Sequence, residues 1–119
     1  MDIYLAHSSG YDFKTELYEP IQKNCSNKNH TFIFPHNGQL VDSKNVLSTC
    51  DLVMAEASYP STGLGIELGW ANDLKKHIVC IHKTGSAPSS ALRIVCETFL
   101  SYGSEVELIS CITRIIATN

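Results

Sequence analysis

The chain has 119 residues, 44% of them hydrophobic and 18% charged, a composition that fits one globular domain over 1–119 and excludes a disordered chain. Its net charge of −3 offers no basic field for a phosphate backbone, which excludes nucleic acid as the main partner. No stretch approaches the ~20 apolar residues of a membrane span, and Met1-Asp2-Ile3-Tyr4-Leu5 reads as a strand rather than a signal peptide.

In chain order, Asp2 to His7 is a short apolar strand ended by His7-Ser8-Ser9-Gly10. Tyr11 to Lys23 carries Phe13, Leu17, Tyr18 and Ile21 at helical spacing, with Pro20 interrupting the pattern. Thr31 to Phe34 is a second strand, stopped by Pro35 and followed by a polar loop. Val41 to Thr49 forms a short helix that Asp42 or Ser43 caps. Leu52 to Ala55, introduced by Asp51, is a continuous apolar run, as expected of a parallel strand covered on both faces. A loop, Ser58 to Thr62, leads into a helix from about Gly63 to Lys76 with Leu64, Leu68, Ala71 and Leu74 inward. His77 to His82 is a fourth strand, Pro88 to Cys96 a helix and Phe99 to Tyr102 a fifth strand. Glu105 to Ala117 closes the chain as an amphipathic helix with Leu108, Ile109, Ile112 and Ile116 inward. This alternation predicts an α/β, doubly wound parallel sheet of five strands in the flavodoxin-like order 2-1-3-4-5, with helices on both faces.

The five cysteines are scattered, with no C-x-x-C pair, and Cys80 and Cys111 lie inside apolar runs as buried thiols. This is the cysteine pattern of a reducing compartment, so the expected location is the cytoplasm. The five histidines make no H-E-x-x-H motif, and no metal is expected.

Ligands of open α/β sheets bind beyond the carboxyl ends of the strands, where strand order reverses. Two segments end strands there with suitable chemistry: His7-Ser8-Ser9-Gly10, and Glu56 to Glu67. Gly63 and Gly65 permit close backbone approach at a helix start, and Ser58, Ser61 and Thr62 add hydroxyls, a cradle for sugar or phosphate oxygens. Glu67 is placed in about the first turn, where the helix end favours an ionised carboxylate by roughly 0.3–1 kcal/mol. A positioned, ionised carboxylate beside a sugar is what covalent glycosyl chemistry requires. A plain turn with its cap, and a Glu present only for helix electrostatics, are the bland alternatives. Gly63, Gly65 and Gly69 do not have the G-x-G-x-x-G spacing of a dinucleotide site, so no nicotinamide cofactor is expected.

The segment from Cys50 to Ala71, with its Ser61-Thr62-Gly63-Leu64-Gly65-Ile66-Glu67-Leu68-Gly69 core, and the opening Ile3-Tyr4-Leu5-Ala6, resemble the nucleoside 2-deoxyribosyltransferase family. That family includes the 2′-deoxynucleoside 5′-monophosphate N-glycosidases, and the resemblance runs from about Ile3 to Arg93. It implies a cofactor-independent enzyme acting on a small nucleoside or nucleotide. Glu67 would be the nucleophile, Tyr4 the residue that holds it, Ser61 part of the sugar or phosphate pocket, and Ser90 a serine lent by the neighbouring subunit of a homodimer or larger assembly. The chain departs from the family pattern twice. His7-Ser8 replaces Gly-Ser after the first strand, and the family's second acid falls near Ser43. Asp42, one position away, is the candidate for helping the base leave, and Asp51 is the other acid considered. Release of the sugar to water is the expected outcome, with base exchange by a transferase and a non-catalytic nucleotide-binding module as alternatives.

Overall fold

The computed structural model describes residues 1–25, 29–36 and 42–119. Its strands are β1 (Asp2–His7), β2 (Thr31–Ile33), β3 (Leu52–Glu56), β4 (His77–Lys83) and β5 (Thr98–Tyr102). All four pairings are parallel, and the order is β2-β1-β3-β4-β5, the doubly wound arrangement expected from the sequence. The chain crosses from β2 on one side of β1 to β3 on the other, so the reversal point is the carboxyl end of the β1–β3 pair. There His7 lies opposite Glu56 in the register.

Alternate strand residues face opposite layers. Ile3, Leu5, Leu52, Met54, Val79 and Ile81 share one core with helix α1 (Glu19–Asn24), the turn before it and helix α4 (Glu105–Thr118). Tyr4, Ala6, Val53, Ala55, Ile78 and Cys80 share the other with helices α2 (Ser43–Thr49) and α3 (Thr62–Asp73). Helices thus cover both faces. Among the described residues no helix is long and apolar enough to cross a membrane.

Several boundaries differ from expectation, each for a local reason. The expected helix Tyr11–Lys23 is a π-turn over Lys14–Tyr18 running into α1, with the Glu19 N–H bonded to the Lys14 carbonyl. Pro20 has no N–H to return to the preceding turn, and the hydrogen-bond register changes beside it. Asp42 caps α2; Val41, the expected first residue of that helix, lies outside the described residues. Helix α3 ends at Asp73 rather than Lys76, because Lys75 turns to a φ of 58° and reverses the chain. Lys76 instead donates to the Ser48 and Cys50 carbonyls at the end of α2. The expected helix Pro88–Cys96 is a 3₁₀ turn over Ser90–Ile94. Ile115 takes a buried place in α4, while Ile109 and Ile116 pack at the core's margin. Cys80 is buried as expected, whereas Cys111 is partly exposed.

Candidate active site at the carboxyl edge of the sheet

Helix α3 lies over the face that presents Tyr4, and its inward stripe is Leu64, Glu67, Leu68 and Ala71. Glu67 is therefore a carboxylate at a position where helical spacing calls for an apolar residue. It is only 8% exposed, and its Oε2 accepts a short hydrogen bond from the Tyr4 hydroxyl. Tyr4 is fully buried, and burial together with the Glu67 carboxylate pushes its pKa well above the usual tyrosine range. The hydroxyl therefore stays protonated and donates. The Ser43 hydroxyl, from the first residue of α2, is also in hydrogen-bonding reach of it.

The expected electrostatics of Glu67 need correction. The helix begins at Thr62, so Glu67 sits in the second turn, beyond the range at which a helix end acts strongly. Burial raises its pKa, while the Tyr4 hydrogen bond and the nearby His36 imidazole pull it down. What favours the carboxylate is a phenol and an imidazole, not the helix end.

His36, on the loop after β2, was not singled out from the sequence. Its ring packs at 5.1 Å from that of His7 and 5.6 Å from that of Phe13, and its backbone N–H donates to the Tyr18 hydroxyl at 3.1 Å. His7 is buried, with Nδ1 2.8 Å from the Ser8 carbonyl and Nε2 2.6 Å from the Tyr18 hydroxyl. Since a carbonyl only accepts, Nδ1 carries the proton and Nε2 accepts from Tyr18. Burial holds the His7 pKa down to about 4, so it is neutral at pH 7 with both nitrogens engaged. It shapes the site rather than offering a free donor.

The remaining expected residues fall into four groups. Ser61 caps α3, its hydroxyl oxygen accepting the Leu64 N–H at 3.2 Å, and the opening N–H groups of Thr62 and Gly63 face no intrahelical acceptor. A Cβ added at Gly63 or Gly65 would meet nothing within 4 Å, so the fold itself does not demand glycine there. In the first loop Ser8 is buried and its Oγ accepts the Gly10 N–H at 3.0 Å, with Ser9 and Gly10 exposed. Three residues are placed otherwise than expected. Ser58 is buried with its hydroxyl committed to Glu56 and to the Lys83 N–H. The exposed Asp42 spends its carboxylate on the Asn45 N–H that starts α2, so Ser43 and not Asp42 meets Tyr4. Asp51 bonds the Asp2 backbone at the amino edge, the far end of the sheet. Ser90 opens the 3₁₀ turn and is exposed, free to meet another surface.

Lys83 was also missed. It ends β4 and extends its ammonium to Tyr59 (2.7 Å) and Glu16, so a cation does border the loops although neither loop contains one. Among the described residues no three His, Cys, Asp or Glu side chains gather closely enough to hold a metal.

With this geometry in view, comparison with known proteins gives two findings. The fold is that of the CMP N-glycosidase BcmB of Clostridium botulinum, matched with a TM-score of 0.72 over 97% of this chain and 99% of that one, at 20% identity. In sequence, a 48-residue stretch is 44% identical to the 5-hydroxymethyl-dUMP N-hydrolase of Tetraodon nigroviridis, covering 40% of this chain and 31% of that relative. The chain thus spans about a third of the length of the curated relative it matches. No family model matches. Both proteins belong to the nucleoside 2-deoxyribosyltransferase-like family, the family that the sequence resembles.

Proposed function

We propose that this chain is an enzyme that hydrolyses the N-glycosidic bond of a nucleoside 5′-monophosphate, with Glu67 as the nucleophile. The observation that carries the reading is the buried Tyr4–Glu67 pair at the switch point of the sheet. Tyr4 occupies Oε2 and leaves Oε1 to attack C1′. The glycosidic electron pair departs with the base, which takes up a proton, and a glycosyl ester forms on Glu67. Water then attacks C1′, and Glu67 leaves as the carboxylate. A carboxylate desolvated by its pocket gains most as positive charge grows on the sugar ring, and that gain is made in the transition state rather than in the ground state.

In this reading Ser61 and the opening N–H groups of α3 receive the sugar phosphate, and the first loop closes over it. Asp42 contributes by starting α2 and so placing Ser43. A second copy of the chain covers the site through the exposed Ser90. Substrate preference for a 5′-monophosphate has support in the names of the two similar proteins, both of which act on nucleotides.

The test is a panel of nucleosides and their 5′-monophosphates, monitored for free base with the wild type and with Glu67→Gln. The Gln variant should bind nucleotide and lose turnover by several orders of magnitude. A 2′-fluorinated substrate should leave sugar mass on the peptide carrying Glu67. Base release by Glu67→Gln near the wild-type rate would remove Glu67 from the mechanism. Conversion to a new nucleotide when a second free base is added would assign a transferase instead.

A further inference from the structure

A second buried polar system occupies the same edge of the sheet on the opposite face, and the proposed reaction does not use it. Glu56 ends β3 with only 1% of its surface exposed. Its Oε1 accepts the Ser58 backbone N–H at 2.7 Å, and its Oε2 accepts the Ser58 hydroxyl at 2.9 Å and the Tyr102 hydroxyl in a short bond. Ser58 Oγ in turn accepts the Lys83 N–H at 2.7 Å, and the intervening Ala57 N–H bonds the Ile81 carbonyl at 2.8 Å. The chain leaving β3 is thereby tied to both β4 and β5. The next residue is clamped as well, the Tyr59 ring lying 4.6 Å from that of Tyr11 and its hydroxyl accepting from Lys83 Nζ. Pro60 and Ser61 alone separate this fixed point from α3.

We infer that Glu56 is a positioning residue, whose carboxylate sets the path of the Ser58–Ser61 loop and so presents the amino end of α3 to the substrate. The inference rests on the function proposed above. A buried carboxylate is tolerated only where donors meet it, and here three donors converge on a group that solely accepts. Loops of this kind are otherwise among the first segments to open, and a substrate held by a loose loop loses orientation. Glu56 touches neither Glu67 nor Tyr4 through any hydrogen bond described, so it acts through the loop alone.

The experiment compares Glu56→Gln and Tyr102→Phe with the wild type in the full chain. The Gln amide can still accept the Ser58 N–H, but its NH₂ confronts two hydroxyls that must turn round. With Glu56→Gln, KM for the 5′-monophosphate should rise about tenfold while saturated kcat changes less than about threefold, and KM for the unphosphorylated nucleoside should change little. Tyr102→Phe should shift KM the same way by less. A readout independent of turnover is the Ser58 amide proton, which the carboxylate holds at low field and which should move upfield in Glu56→Gln while the β1 amides stay in place. An unmoved Ser58 amide, or a fall in kcat alike for both substrates with KM unchanged, would overturn the inference by reducing Glu56 to a structural tie. Failure of the functional reading shows differently, as a wild type that releases no base; if that wild type still binds nucleotide, a tenfold rise in Kd replaces the rise in KM.

Discussion

At the scale of single residues, the polar groups of the site are held in defined protonation states by burial. Burial raises the Glu67 pKa, and the Tyr4 hydrogen bond is the largest influence opposing it. In the proposed reaction Glu67 must be ionised, so activity should fall as pH drops through its folded pKa, which burial raises above the ordinary carboxylate value. Tyr4→Phe removes the bond that lowers that pKa. The acid limb of kcat/KM should therefore move to higher pH, with a smaller loss near pH 8 than near pH 5. A pH–rate profile checks this, and an unmoved limb would mean that another group governs it. Glu67 was legible in the sequence through its place in the Ser61–Gly69 core. Helical spacing carried a further sign, a carboxylate among the inward positions Leu64, Leu68 and Ala71. His36 and Lys83 were not legible, because each reaches the site from a segment distant in the chain. Glu56 left a trace as a charged residue closing an apolar strand, but only the fold shows it meeting Tyr102 from 46 residues away.

At the scale of elements, the strands were read most faithfully, since period-two burial and continuous apolar runs mark them directly. Helix ends were read less well. Lys75 and Lys76 look like a basic helix end, yet the helix stops earlier through a left-handed turn that no periodicity announces. The caps separate stability from function. Ser61 and Ser104 cap α3 and α4 in the same manner, each hydroxyl oxygen accepting an N–H at 3.2 Å. Ser61→Ala and Ser104→Ala should each cost about 1 kcal/mol and about 4 °C in Tm. Only Ser61→Ala should also raise KM for the 5′-monophosphate. Equal kinetics for the two variants would leave Ser61 as a cap and nothing more.

At the scale of the whole molecule, two buried groups make stability depend on pH in opposite directions. His7 has a folded pKa of about 4 against 6.5 when unfolded, so the unfolded chain binds the extra proton between those values. Stability is full above pH 6.5 and falls as pH drops towards 4, by roughly 3 kcal/mol. Glu67, with its folded pKa raised, does the reverse: the stability linked to it is full below the unfolded value and is lost as pH rises through the folded one. In the wild type the two partly offset each other. Glu67→Gln removes the carboxylate's share, so the variant should match or exceed the wild-type Tm at pH 7 and lose stability more steeply between pH 6.5 and 4. Thermal melts across that range check both signs, and a variant less stable at pH 7 would contradict the desolvation of Glu67.

The alternation of β1 has a consequence for how this fold can diversify. Tyr4 and His7 are an odd number of residues apart, so one strand supplies the partner of Glu67 to one layer and a neutral imidazole to the other. Inserting or deleting a single residue within β1 would exchange the two layers, drawing Tyr4 away from Glu67 and turning Ile3 and Leu5 out of their core. Such a change breaks the Tyr4–Glu67 bond and the packing together and leaves no partly intact intermediate for selection to refine. Variation on this scaffold is therefore better tolerated in the connections that follow β1 and β3, while the strand itself is bound to its present length.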